Sequence, residues 1–284
     1  MKSAKIFARI AASLLSLALL ASASFAATNP LNYPLGLAVD SKGDLWVANQ
    51  NGNNILAFSS AYALQKSKTI TEGINSPTGV AFDPLGNLWV ANHNASSITE
   101  YAGAGHNESA VITSAVSFPT AIAVDGLGNV WIVNSNQYVE VYAPSQLYGP
   151  PNDNIRSLYP GPAFYGIAVS DGEFVWGDGT DLSFAPAIAA LDAGSLAGIA
   201  IGGSNTATYV ASAANGNIYF TTTGNAVNYS VPAVGGAVTP LIQLSFAPGG
   251  LAVDSVHGRI YISNPNSNSI AVYSLTGTLL NTIE

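Results

Sequence analysis

The stretch PTGVAFDPLGNLWVANHNASSITEY, residues 77–101, holds three short apolar runs separated by turn-forming residues. Each run has the length of a β-strand, and none has helical spacing. The pattern recurs along the chain. PLGLAVDSKGDLWVANQNGNNILAF starts at Pro34, PTAIAVDGLGNVWIVNSNQYVEVY at Pro119 and FYGIAVSDGEFVWGDGTDLSF at Phe164. LAGIAIGGSNTATYVASAANGNIYF starts at Leu196, and PGGLAVDSVHGRIYISNPNSNSIAVY at Pro248. An aromatic in the second run sets the register: Trp46, Trp89, Trp131, Trp176, Tyr209 and Tyr261. The intervals are 43, 42, 45, 33 and 52 residues.

A fourth, weaker run precedes the next copy, as SKTIT at 67–71, AVITSA at 110–115 and TLLNTI at 278–283. Four antiparallel strands repeated six times predict an all-β fold, a six-bladed β-propeller of four-stranded antiparallel blades. The whole of 27–284 reads as one such domain. The last copy supplies its own outer strand, so ring closure needs none from the N-terminus, and residues 27–33 are placed to pack across the seam.

Residues 1–26 read differently. Lys2, Lys5 and Arg9 precede the apolar run IAASLLSLALLA at 10–21, and ASASFA ends in the small residues Ser24 and Ala26. This is the pattern of a signal peptide cleaved after Ala26, too short to span a membrane. The expected location is therefore exported, periplasmic or extracellular, and the absence of Cys fits a bacterial periplasm better than a eukaryotic secretory route. No later run is long enough for a membrane span.

Beyond Ala26 five basic residues face sixteen acids, a formal charge of −11. Lys42, Lys66, Lys68, Arg156 and Arg259 are too few and too scattered to track phosphates, so nucleic acid is excluded as a partner.

The consensus P-x-G-[LV]-A-[VF]-D-x-x-G-[ND]-L-W-V-A-N, followed by Ile and an aromatic, resembles the NHL repeat. It is also similar to the repeats of virginiamycin B lyase-like and gluconolactonase/regucalcin-like propellers. That resemblance implies a propeller whose members include binding scaffolds, lyases and lactonases. In the lactonase-like repeats, metal ligands follow the residue that opens a copy. Here those positions are Leu35, Thr78, Thr120 and Gly249, which are poor cation ligands. In lyase-like repeats the second strand commonly ends in Glu, and a His and a Glu act as acid and base around a metal. Here it ends in Asn49, Asn92, Asn134, Asp178, Ser212 and Asn264, and an amide cannot act as a base.

The residues themselves favour architecture over catalysis. Asp40, Asp83, Asp125 and Asp254 each precede a Gly by three or four positions and read as turn residues. The tryptophans share one strand register and read as core. No G-x-S-x-G elbow or phosphate-binding glycine loop is present. His106 and His257 read as solvated turn residues, leaving His93 as the one histidine placed to face the axis.

What remains is the set of loops between second and third strands, NQNGNN, NHNASS, NSNQ, DGTD, SAANGN and NPNSNS. They form a ring of amides and hydroxyls, suited either to turn-making or to hydrogen bonding a ligand. Asn49, Asn92, His93, Asn94, Asn134, Asp178 and Asn264 are its candidate binding residues. The irregular segment 146–166 adds Tyr148, Arg156, Tyr159 and Tyr165. The preferred expectation is an exported, non-catalytic propeller binding a protein, peptide or carbohydrate, with no cofactor and no metal. The alternatives are an enzyme with a displaced site at His93, Asp178 and Asp181, and a structural module of the cell envelope.

Overall fold

The computed structural model describes residues 29–103, 105–136, 138–143, 156–158, 166–170, 173–178, 181–186, 197–200, 207–222, 227–232 and 238–284. In 156–158, 170, 173–178, 181–186, 197–200 and 227–232 the description is of the backbone alone. The chain divides into two compact units, residues 1–30 and 31–284. The expected signal segment 1–26 lies outside the described residues.

The second unit is built of antiparallel sheets, each a meander in sequence order. β1 (Pro34–Val39), β2 (Leu45–Asn49) and β3 (Asn54–Phe58) form the first. The second holds β4 (Pro77–Phe82), β5 (Leu88–Asn92), β6 (Ser97–Ala102) and β7 (Asn107–Ile112); the third holds β8 (Pro119–Val124), β9 (Val130–Asn134), β10 (Val139–Tyr142) and β11 (Arg156–Leu158). The fourth comprises β12 (Ile167–Ser170), β13 (Glu173–Asp178), β14 (Asp181–Pro186) and β15 (Ala197–Ala200). β16 (Ala207–Ser212), β17 (Asn217–Thr222), β18 (Val227–Pro232) and β19 (Thr239–Gln243) make the fifth. β20 (Gly250–Asp254), β21 (Arg259–Asn264), β22 (Ser269–Ser274) and β23 (Leu279–Ile283) make the sixth.

The first strands lie side by side around one axis: β1 beside β4, then β8, β12, β16 and β20, which returns to β1. Two glycines show how tight this is. A Cβ on Gly36 would collide with Gly79, and one on Gly250 with the Leu35 carbonyl, so only a bare backbone fits.

The second strands β2, β5 and β9 are apolar up to their final Asn because both of their faces are covered. Leu45 and Val47 pack with Ala252, Tyr261, Ile270 and Val272 of the sixth sheet. Trp46 and Ala48, one residue out of phase, pack with Val80, Leu88, Val90 and Tyr101 of the second. The core therefore lies between sheets, and Trp46, Trp89 and Trp131 fill three of these spaces. Alanine stands opposite each of those indoles, as Ala38, Ala81 and Ala123, where a larger side chain would compete for room.

Three expectations are corrected. SKTIT at 67–71 is not a fourth strand. Gln65 N–H bonds the Ala57 carbonyl, Lys66–Lys68 form a 3₁₀ turn, and only Ile70 pairs back, with Ile55, so the first sheet has three strands. The fourth strand of the second sheet runs over Asn107–Ile112, earlier than 110–115. In the fifth copy, LAGIA is not the opening strand, because β15 (Ala197–Ala200) is the outer strand of the fourth sheet. The fifth sheet opens at Ala207, and its register aromatic is Tyr219 rather than Tyr209. Tyr219 stands 43 residues after Trp176 and 42 before Tyr261, which restores an even repeat. The copy was obscured because Ala207 and Ala213 replace its opening Pro and its turn Asp. The outer strand expected at 278–283 is present as β23.

Candidate functional site

The turn aspartates and the tryptophans form one device. Oδ1 of Asp83 accepts the N–H of Leu85 and of Asn87 at 2.9 and 2.8 Å. Its Oδ2 accepts Asn87 Nδ2 and the indole N–H of Trp89 at 3.0 and 3.3 Å. Asp40 with Trp46 and Asp125 with Trp131 repeat the bond at 3.2 and 3.1 Å. In the sixth sheet Tyr261 brings no indole, and His257 Nδ1 takes the place at Asp254 Oδ2, 2.7 Å away. His257 is thus paired, and it fills the space above Gly43 while staying exposed on its turn, as expected. These carboxylates are consumed by the fold and are not available as acids, bases or ligands.

The loop-face asparagines are fasteners as well. Asn49, Asn92 and Asn134 are buried, which corrects their placement on a ligand-accessible surface. Each Oδ1 accepts a backbone N–H seventeen residues upstream: Asn32 at 2.6 Å, Asn75 at 2.9 Å and Ser117 at 3.0 Å. Asn92 Nδ2 donates to the Gly73 carbonyl and Thr99 Oγ1, and Asn134 Nδ2 to the Ala115 carbonyl. Asn264 is half-buried, and its Oδ1 has no partner.

A second set joins neighbouring sheets at three junctions. Asn53, Ser96 and Asn268 sit four positions past the strand-ending Asn, all with φ near +50°. Their side chains accept the N–H of Ser76 at 2.7 Å, Phe118 at 3.2 Å and Tyr33 at 2.8 Å. Those three residues also have positive φ, at 53°, 46° and 57°. The last bond spans 235 positions and ties the sixth sheet to the first. Leu31 packs into the same seam.

Among the residues that the loop face leaves exposed, three are aromatic. Phe118 is 50%, Tyr138 41% and Tyr33 36% exposed, and Asn94 stands in solvent. His93 is half-buried, with its ring 5.5 Å from that of Phe118. Its Nδ1 lies 3.1 Å from the Pro119 carbonyl, which can only accept, so Nδ1 donates that bond. His93 therefore leans toward the opening strand of the third sheet.

The axial cavity, about 70 Å3, is lined by first-strand positions including Gly36, Gly79, Ala121, Gly166, Tyr209 and Gly250. It has room for a few waters and presents no carboxylate or imidazole. Among the described residues, no three His, Asp or Glu side chains are placed to hold a metal. No helix among them is long and apolar enough to cross a membrane. Asp178 and Asp181 pair as neighbours across the β13–β14 hairpin, and Arg156 opens β11. Tyr148, Tyr159 and Tyr165 lie outside the described residues.

Sequence reasoning did not single out Phe118, Tyr33 or Tyr138. Each adjoins a strand end, where aromatics usually turn inward; only an aromatic immediately before the opening Pro marks the first two.

A family profile for the NHL repeat matches residues 31–58. No curated protein sequence matches the chain. Among solved structures, a chain of the nidogen/laminin complex is similar with a TM-score of 0.67 at 15% identity, over 88% of this chain and 93% of that one. A streptogramin B lyase is similar with a TM-score of 0.63 at 14% identity, over 90% of this chain and 84% of the other. Virginiamycin B lyase from Staphylococcus aureus gives 0.59 at 14% identity, over 82% and 77%. The chain thus carries an NHL repeat over residues 31–58 and a β-propeller-like fold similar to that of these structures.

Proposed function

We propose that the six sheets are the blades of a six-bladed propeller, exported after cleavage following Ala26, that binds a protein or peptide on its loop face without catalysing a reaction. One observation carries this reading. Phe118 keeps half its surface in water while its backbone is held left-handed, a conformation that costs a non-glycine residue roughly 1 kcal/mol. Three bonds impose it: Phe118 N–H to Ser96 Oγ, and the Phe118 carbonyl accepting Ser135 N–H and Oγ at 3.1 and 2.7 Å. A strained, rigid and exposed aromatic marks a recognition site, because its ring loses little freedom on binding. His93 beside it, Tyr33, Tyr138 and Asn94 extend the surface, and the segment 146–166 is the candidate specificity element. The likeness to a chain of a protein–protein complex is in keeping with this.

The test is capture from native envelope extract by wild type and by a Phe118→Ala/His93→Ala variant. The variant should retain its melting temperature and lose at least tenfold in retention of whatever wild type captures. Equal capture by both, or none above a blank surface, contradicts the reading.

A further inference from the structure

In four of the sheets the loop after the second strand carries a further asparagine, two positions past the strand-ending Asn. These are Asn51, Asn94, Asn136 and Asn266, and all four stand in solvent. The residues that follow them differ: Gly52, Ala95, Gln137 and Ser267. An asparagine is open to attack by its own chain, because the next backbone nitrogen, once it gives up its proton, reaches the side-chain Cγ. A side chain on that next residue crowds the approach, so Gly is the permissive neighbour.

The chain has two Asn-Gly pairs, Asn51-Gly52 and Asn215-Gly216, and they are held differently. Asn215 Oδ1 accepts the Asn217 N–H at 3.1 Å, which fixes its side chain. The Gly216 N–H donates to the Ala213 carbonyl at 3.0 Å within the same turn. Among the described residues Asn51 has no side-chain hydrogen bond. The Gly52 N–H donates at 3.3 Å to the Asn32 carbonyl, an acceptor it shares with the Asn51 N–H at 3.1 Å. Asn32 lies at the edge of the compact unit 31–284, where a segment opens more readily than a turn inside a sheet. Each such opening frees the Gly52 nitrogen.

The first sheet has no room to replace this glycine. A Cβ on Gly52 would fall 2.1 Å from Asn49 Nδ2, which donates to Asn54 Oδ1 at 2.8 Å. The reactive pair is thus a consequence of how the sheet is fastened. In the second sheet the matching position holds Ala95, so the same turn with a side chain in place stands beside it for comparison.

We propose that Asn51 is the chain's site of spontaneous deamidation, and that its conversion unseats the fastener at Asn53. The Gly52 nitrogen bonds to Asn51 Cγ, the Cγ–Nδ2 bond breaks, and ammonia leaves with the proton lost from the Gly52 amide. Water then opens the cyclic imide. Attack at Cγ leaves aspartate, and attack at the Asn51 carbonyl carbon leaves isoaspartate, whose backbone is longer by a methylene. Water is the one co-reactant. Both products add a negative charge, but only isoaspartate changes the spacing between the strand end and Asn53. That spacing places Asn53 Oδ1 2.7 Å from the Ser76 N–H and Nδ2 3.2 Å from the Ile74 carbonyl. The chemistry does not depend on what the loop face binds.

The test is to hold purified wild-type protein for several weeks at body temperature in mildly alkaline buffer, and to map its peptides by mass spectrometry and by enzymatic methylation of isoaspartate. Asn51 should convert at least about tenfold faster than Asn94, Asn136, Asn215 or Asn266. Ala95→Gly, an exposed change, should raise the rate at Asn94 by at least about tenfold. The isoaspartate form, separated by ion exchange, should unfold at lower urea than the unaged chain. Asn51→Asp, which adds the charge at normal chain length, should unfold with the unaged chain. Conversion at Asn51 no faster than at the other four overturns the proposal, as does an unchanged Asn94 rate in Ala95→Gly. An isoaspartate form that unfolds no earlier than Asn51→Asp overturns the unseating of Asn53.

Discussion

Asp125 shows how a carboxylate in this chain is used. Its side chain accepts four bonds, from Leu127 N–H, Asn129 N–H, Asn129 Nδ2 and the Trp131 indole. Asp125→Ala strands two backbone donors and a buried indole, and should lower stability by about 2–4 kcal/mol in urea unfolding. His106 makes a prediction with pH. Burial first, then the Lys68 charge, hold its folded-state value below the ordinary 6.5, so on acidification the unfolded chain takes up a proton before the folded chain does. That contribution is complete above about pH 6.5, declines as pH falls toward the folded value, and levels off below it. His106→Gln should therefore lose less melting temperature than wild type between neutral pH and about pH 5; an equal loss contradicts the assignment. At this scale the sequence is half legible. Asp as turn and Trp as core follow from their immediate neighbours, but the bond between them spans six positions and leaves no local mark. A trace exists only across copies: Asp and Trp are absent together in the fifth, and His257 accompanies Tyr261 in the sixth.

At the scale of one strand and its loop, burial separates asparagines that composition cannot. NHNASS begins with Asn92, fully buried on Gly73, Asn75 and Thr99, and two positions later Asn94 stands in solvent. Asn92→Ala leaves buried partners unpaired and should cost about 2–3 kcal/mol. Asn94→Ala should stay within about 0.5 kcal/mol. Both are read from urea midpoints at constant slope, and equal effects would contradict the division. The strands themselves are legible where Pro, Asp and Trp punctuate a copy, as in β4 and β5. They are not where those markers are missing, as at β16, or where turn bonding takes the edge positions, as at 66–70.

For the molecule as a whole, the distinctive feature is how polar loop residues hold sheet to sheet. Apolar packing between neighbouring sheets supplies the attraction, and the Asn53, Ser96 and Asn268 bonds fix where each loop sits on the next sheet. At the seam Arg259 adds a second tie on the opposite face, donating to the Ser60 carbonyl at 2.6 Å and lying 4.9 Å over the Tyr62 ring. Asn49, Asn92 and Asn134 are then spent on the fold, while Asn51, Asn94, Asn136 and Asn266 stay exposed beside the aromatics pinned between the fasteners. The central claim is that these fasteners close one cooperative ring. Urea unfolding of Asn268→Ala, followed by tryptophan fluorescence and by circular dichroism, tests it most directly, because every tryptophan lies in the first four sheets and Asn268 in the sixth. The account predicts that both signals shift together, by about 1–2 kcal/mol. A fluorescence midpoint that stays at the wild-type value would contradict it.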